Sequence, residues 1–171
     1  MSMGNVPQST APAPLAFATC CVNNQAYKRQ RAMPGVGLAH LTIFGADEGA
    51  AMLKLIMPMK RRPGMSVTEF RTYYETHHRV IGEKYLAGYA ARYMRRFTNP
   101  TTDRDGQIRE PEYDVFLEIW YPDEATMQAC SAVLGAPAVQ KEIKEDEARL
   151  FDTRYMRAYL VDESVSDLPD L

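Results

Sequence analysis

Between residues 52 and 163 the chain switches repeatedly between a two-residue and a 3.6-residue hydrophobic period. In Met52–Met59, Leu53, Leu55, Met57 and Met59 alternate with Met52, Lys54, Ile56 and Pro58, which predicts a first strand. A basic corner, Lys60-Arg61-Arg62, is then turned by Pro63-Gly64. Ser66 with Glu69 three residues on is a capping-box pattern, and it opens a helix predicted from about Ser66 to about Lys84. Val67, Phe70, Tyr74, Ile81 and Tyr85 share one face of that helix, with His77 and His78 on its opposite flanks.

Gly88 breaks the helical period, and Tyr89–Phe97 predicts a second strand in which Tyr93, Arg95 and Phe97 alternate with Arg92, Met94 and Arg96. Asn99–Glu112 is a polar loop with an Asp105-Gly106 turn signal. Tyr113–Tyr121 is the sharpest alternation in the chain, with Val115, Leu117 and Ile119 on one face and Asp114, Phe116, Glu118 and Trp120 on the other. Acidic residues at Asp123 and Glu124 open a second helix that ends at Gly135. A further helical piece over Ala138–Leu150 carries Val139, Ile143 and Leu150 on one side, and Glu145, Asp146 and Glu147 read as its solvated face. Thr153–Asp162 is the expected last strand.

Two strand–helix–strand halves predict an α+β domain with an antiparallel four-stranded sheet and its helices on one face. Helices on one side leave the other sheet face uncovered, and its large side chains make it too apolar for a monomer. Pairing of two sheets about a two-fold axis would bury that face, so a homodimer is expected. The chain divides into a flexible N-terminal extension (1–51), the domain (52–163) and an acidic C-terminal tail (164–171). The extension is rich in Pro, Ser, Thr and Ala and carries a small Lys28, Arg29, Arg31 cluster. It fits a signal peptide poorly, because its charges follow the weakly apolar segment. A transit peptide and natural initiation at Met52 stay open as readings of it.

Composition narrows the function classes. The formal charge is −2, from 20 basic and 22 acidic side chains, which gives no electrostatic reason to expect a nucleic-acid partner. No apolar run approaches the ~20 residues a membrane helix needs. Cys20, Cys21 and Cys130 lack disulfide-framework or zinc spacing, and a reducing cytoplasm is the expected compartment. There is no dinucleotide or phosphate-loop motif and no His-Glu-x-x-His, so neither a cofactor nor a metal is expected.

The stretch Lys60–Tyr85, with its Lys-Arg-Arg-Pro-Gly-Met-Ser corner, Glu69-Phe70, Tyr73-Tyr74-Glu75 and a His late in the helix, resembles the EthD-like family. The likeness runs roughly from Met52 to Glu163 and places the family's helix histidine at His78. Here Arg79, Val80 and Ile81 follow it, where the family carries a small residue, Pro and Leu. The resemblance implies a dimeric α+β barrel with a ferredoxin-like βαββαβ order, and a pocket between sheet and helices within each subunit. It also implies one of several chemistries. EthD-like proteins are linked to ether-degrading oxygenase systems, fungal relatives are dehydratases or decarboxylases of polyketide-type aromatics, and related barrels are cofactor-free monooxygenases.

His78 is therefore the candidate acid–base catalyst, since an imidazole gives and takes protons near neutral pH. Glu118, a mid-strand carboxylate in need of a partner, is the candidate to pair with it. Tyr74, His77, Ile81, Tyr93, Arg95 and Trp120 are candidate substrate-binding residues for a hydrophobic or aromatic oxygenated small molecule. Plainer readings stand beside these. His78 can be a satisfied core histidine, His77 a neighbour, and the tyrosines ordinary core. Glu118 can pair with a dimer-face arginine such as Arg92 or Arg157, Trp120 can be core or interface, and Lys60–Arg62 can be a solvated corner. A non-catalytic dimeric accessory protein of an oxygenase-linked pathway remains the alternative to an enzyme.

Overall fold

The computed structural model describes residues 52–169; the expected extension over residues 1–51 and the last two residues of the acidic tail lie outside it. Four strands form one antiparallel sheet: β1 (Leu53–Met59), β2 (Arg92–Phe97), β3 (Val115–Tyr121) and β4 (Tyr159–Val161). Their spatial order is β2-β3-β1-β4, the ferredoxin-like arrangement. Register follows the alternation: Leu55 opposes Ile119, Met57 opposes Leu117, and Tyr93 opposes Ile119 from the other side. The odd-numbered residues of β1 and β3 therefore make the core face, where Leu55, Met57, Met59, Val115, Leu117, Ile119 and Tyr121 are buried.

Three helices cover that face. The first, α1, is α-helical over Val67–Tyr73 and again over Arg79–Leu86, with a π-helical turn at Tyr74–His78 between them. Its start is the expected capping box: the Ser66 hydroxyl accepts from the Glu69 amide, and the Glu69 carboxylate accepts from the Ser66 amide at 2.9 Å. In the wider turn the Arg79 amide reaches back five residues to the Tyr74 carbonyl. That extra residue shifts the phase of the apolar stripe toward His78, which joins Phe70 and Tyr74 on the buried face; Val67, at the first turn of the helix, is exposed. α2 spans Glu124–Leu134, capped by the Asp123 carboxylate accepting from the Thr126 amide, and α3 spans Pro137–Leu150.

Three expectations change. The last strand is shorter than the pattern suggested, because a 3₁₀ turn at Thr153–Tyr155 occupies its start. The basic corner is not simply solvated. Lys60 and Arg61 are held against the buried Asp114, and Arg61 Nε also donates to the Met65 carbonyl at 2.8 Å; only Arg62 is exposed. Finally, Asp146 and Glu147 are buried. Ile143, Asp146, Glu147 and Leu150 are spaced three and four apart, so the two acids occupy inward positions of α3.

The seam between α1 and α3 is correspondingly polar. Tyr73 and His78 bond Asp146, while Lys84 and Tyr85 bond Glu142 one turn earlier. Behind the seam an edge-to-face aromatic cluster of Phe70, Tyr74, Phe97 and Phe151 ties α1 to β2 and to the residue following α3. His78 lies on its rim, edge-on to Tyr74 at 4.8 Å and to Phe151 at 5.0 Å.

Candidate active site

The site is centred on a buried histidine oriented by a carboxylate from another helix. His78 Nδ1 lies 2.6 Å from Asp146 Oδ2, and Asp146 Oδ1 accepts from the Tyr73 hydroxyl at 2.9 Å. Burial pushes the Asp146 carboxyl up, but the His78 and Tyr73 hydrogen bonds and the Arg149 charge outweigh it and hold it below the usual carboxylate range. Asp146 is thus an acceptor at both oxygens, which makes Nδ1 the donor and leaves Nε2 free to take a proton.

His78 lines a cavity closed by Ile81, Gly82 and Tyr85 from α1, Tyr93 from β2, and Leu117, Leu134 and Ile143 beneath and beside them. Its enclosed part is about 30 Å³, room for roughly a water molecule. With its open mouth the space is about 350 Å³. The Tyr93 hydroxyl packs onto Gly82, where any Cβ would collide with it. Tyr93 is held up at about 12, chiefly by burial, so it stays a neutral hydroxyl. Tyr74, fully buried behind the wall, is raised as well, by burial first and then by the neighbouring Tyr93 hydroxyl.

The cavity wall holds a second acid. Glu147 follows Asp146 on α3, is 3% exposed, and leaves Oε1 without a hydrogen-bond partner. Burial first, and the neighbouring Asp146 charge second, raise its carboxyl to about 7.

The residues singled out from sequence separate into two groups. His78, Ile81 and Tyr93 meet at the cavity, and Tyr74 packs directly against the imidazole. The others lie elsewhere. Glu118 does not pair with His78. As an even-numbered residue of β3 it points away from the helices, where it accepts from Arg96 Nε at 2.7 Å and from the Trp120 indole. Trp120 shares that outer face, with Lys54 3.9 Å from its ring and Arg92 4.7 Å. His77 is exposed, stacked on Tyr73 at 4.6 Å and beside an open groove along α1. Arg95 is bound to Glu75 at 3.0 Å and is not part of the wall. Asp146, Glu147 and Gly82 went unrecognised in the sequence; the three- and four-residue spacing of Ile143, Asp146, Glu147 and Leu150 was the available signal for the two acids.

Among the described residues no group of three or more His, Cys, Asp or Glu side chains converges as a metal site would, and no helix is long and apolar enough to cross a membrane. Together these features define an α+β protein of ferredoxin-like fold with a carboxylate-oriented histidine on an apolar cavity. The family model of the EthD domain matches residues 62–154, more than half of the chain, and the protein belongs to the EthD family.

No curated protein matches the chain. Among solved structures, an ethyl tert-butyl ether D (EthD) family protein from Bacillus halodurans is 15% identical, covering 66% of this chain and 99% of its own, with a TM-score of 0.47. An EthD-like protein from Ralstonia eutropha is 17% identical over 64% of this chain and 87% of its own, with a TM-score of 0.45. The hydroxynitrile lyase from Passiflora edulis is 10% identical over 67% and 97%, with a TM-score of 0.38. At these scores none bears on the chemistry.

The raised Glu147 carboxyl has a consequence for stability. Unfolding returns it to the ordinary glutamate value of 4.5, so the unfolded chain gains relative stability as pH rises from that value through about 7. Chemical denaturation of the parent and Glu147→Gln across pH 4–8 is expected to show the variant gaining on the parent with rising pH. A shift of this size is worth about 3 kcal/mol above pH 7. Parallel pH curves would contradict the assignment.

Proposed function

We propose that the protein is a small enzyme that needs no bound cofactor and acts by histidine acid–base catalysis on a hydrophobic or aromatic oxygenated small molecule. The observation that carries this reading is the His78–Asp146 pair at the wall of an apolar cavity. A histidine needed only for packing would not require a second buried charge to orient it. Asp146 fixes the ring, Tyr73 holds Asp146 from the far side, and His78 Nε2 removes a proton from a carbon or hydroxyl of the bound molecule. Apolar walls exclude water and strengthen the interactions that do form.

Proton removal from the carbon beside a carbonyl starts a dehydration or an enolisation, proton removal from a phenol hydroxyl gives a phenolate, and a protonated imidazole can return a proton to the carbanion that decarboxylation leaves. The dyad therefore suits a dehydratase- or decarboxylase-type lyase and a monooxygenase-type oxidoreductase, the chemistries the family resemblance implies. The competing reading is a non-catalytic accessory protein that carries such a molecule, and the apolar cavity suits that role too. We further propose that the working unit is a homodimer in a cytoplasmic setting. The outer sheet face leaves Phe116 and Tyr159 exposed beside Ile56 and Trp120, and a second copy would cover them.

Parent, His78→Ala and Asp146→Asn, assayed without added cofactor on phenolic and polyketide-like compounds, test the catalytic reading. Turnover should fall by about 10²–10⁴-fold in His78→Ala and fall as well in Asp146→Asn, with binding kept. Saturable binding by all three and turnover by none would favour the carrier. Sedimentation tests the dimer: the parent should run as two copies and Phe116→Arg as one, and a monomeric parent would contradict the pairing.

A further inference from the structure

One group on the cavity wall is not used by the dyad. Glu147 is buried, lines the same space as His78, and keeps Oε1 unpartnered. Leaving a buried acid oxygen unbonded is costly, and an apolar side chain of similar size would fill the position without that cost.

The surroundings say what such a group can recognise. From α1 it is faced by His78 and Tyr85, and from β2 by Tyr93; on its own helix Asp146 and Lys144 act on it. The α2 and β3 walls add only Leu134 and Leu117. No Lys or Arg lines the cavity, so a carboxylate or phosphate would meet no counter-charge.

We propose that Glu147 is the ligand-reading group of the cavity: as a carboxylic acid it donates its O–H to the carbonyl oxygen of an uncharged, largely apolar ligand and selects against carboxylates. Burial keeps that acid protonated to about pH 7. The assignment rests on the reading of this cavity as the working site, but it does not require His78 to be a catalyst. If His78 does act, the two groups divide one enolisation. Nε2 takes the proton from the carbon beside the carbonyl, and the C–H pair becomes the C=C bond. The carbonyl π pair moves to oxygen, which receives the Glu147 proton. The products are an enol, a protonated His78 and an ionised Glu147, so atoms and charge balance.

Four probes of nearly equal size isolate the recognition: acetophenone, ethylbenzene, benzoate and benzylamine. Their affinities for the parent, Glu147→Gln, Glu147→Leu and His78→Ala would be measured by NMR titration of labelled protein at pH 6 and pH 8. Acetophenone should bind the parent best and lose about tenfold in affinity between the two pH values, as the protonated fraction falls. Glu147→Gln, whose amide still donates, should keep acetophenone and lose the pH dependence. Glu147→Leu, its fold checked by the dispersion of the same spectra, should no longer separate acetophenone from ethylbenzene. In His78→Ala both the preference and its pH dependence should persist.

Any of four results would overturn the proposal. These are a preference for benzoate or benzylamine, equal affinity for acetophenone and ethylbenzene in the parent, an unchanged preference in Glu147→Leu, or no binding of any probe. An acetophenone preference without turnover of any compound would instead count against the catalytic role of His78 and leave this assignment standing.

Discussion

A carboxylate cannot be taken out of water without partners, and the seam between α1 and α3 is arranged around that demand at Asp146. Its two oxygens are met by His78 and Tyr73, both from α1, and that pairing outweighs the cost of burial. Leaving one of those buried oxygens without its donor typically costs about 1–3 kcal/mol, which favours one relative position of the two helices. The proposed catalytic geometry and the helix packing are then the same contact. The π turn at Tyr74–His78 belongs to the same solution, because it brings His78 onto the buried face beneath which Asp146 waits.

The sheet divides the molecule's charges into two sets with different tasks. On the helix side, apolar residues of β1 and β3 form a dry floor, and the polar groups at the cavity above it are Glu147, His78 with its partner Asp146, and the phenols of Tyr85 and Tyr93. On the outer side Glu118 is satisfied by Arg96 and Trp120, and Trp120 is flanked by two cations. Because strand residues alternate strictly, a carboxylate on the outer face cannot reach the cavity without breaking register. Two neighbouring acids on α3 likewise take opposite states. Asp146 is ionised by its donors, and Glu147, one residue on and without any, is held largely neutral up to about pH 7.

Periodicity made the architecture legible. The first and third strands, the Ser66–Glu69 cap, the Asp123 start of α2 and the helix-covered face follow from local pattern, while the second and fourth strands exist where expected but start later, at Arg92 and Tyr159. The strand order came with the family resemblance rather than from pattern. His78 was legible as a titratable group beside an aromatic stripe. Its partner was not, since contact across 68 residues depends on how two helices pack. Parity already placed Glu118 with Phe116 and Trp120, opposite the apolar face that the helices cover, so the His78–Glu118 pairing ran against the alternation itself. Charge also misled: Asp146 and Glu147 look like a solvated run, although their spacing from Ile143 and Leu150 marks the buried stripe.

The central claim is that Asp146, and not Glu118, holds the His78 ring with Nε2 left for chemistry. Nitrogen-15 NMR of the His78 imidazole, read above its titration in the parent, Asp146→Asn and Glu118→Gln, tests it directly. The account predicts a ring protonated at Nδ1 in the parent and in Glu118→Gln, with that preference lost in Asp146→Asn. A parent ring protonated at Nε2, or a spectrum that responds to Glu118 and ignores Asp146, would contradict it.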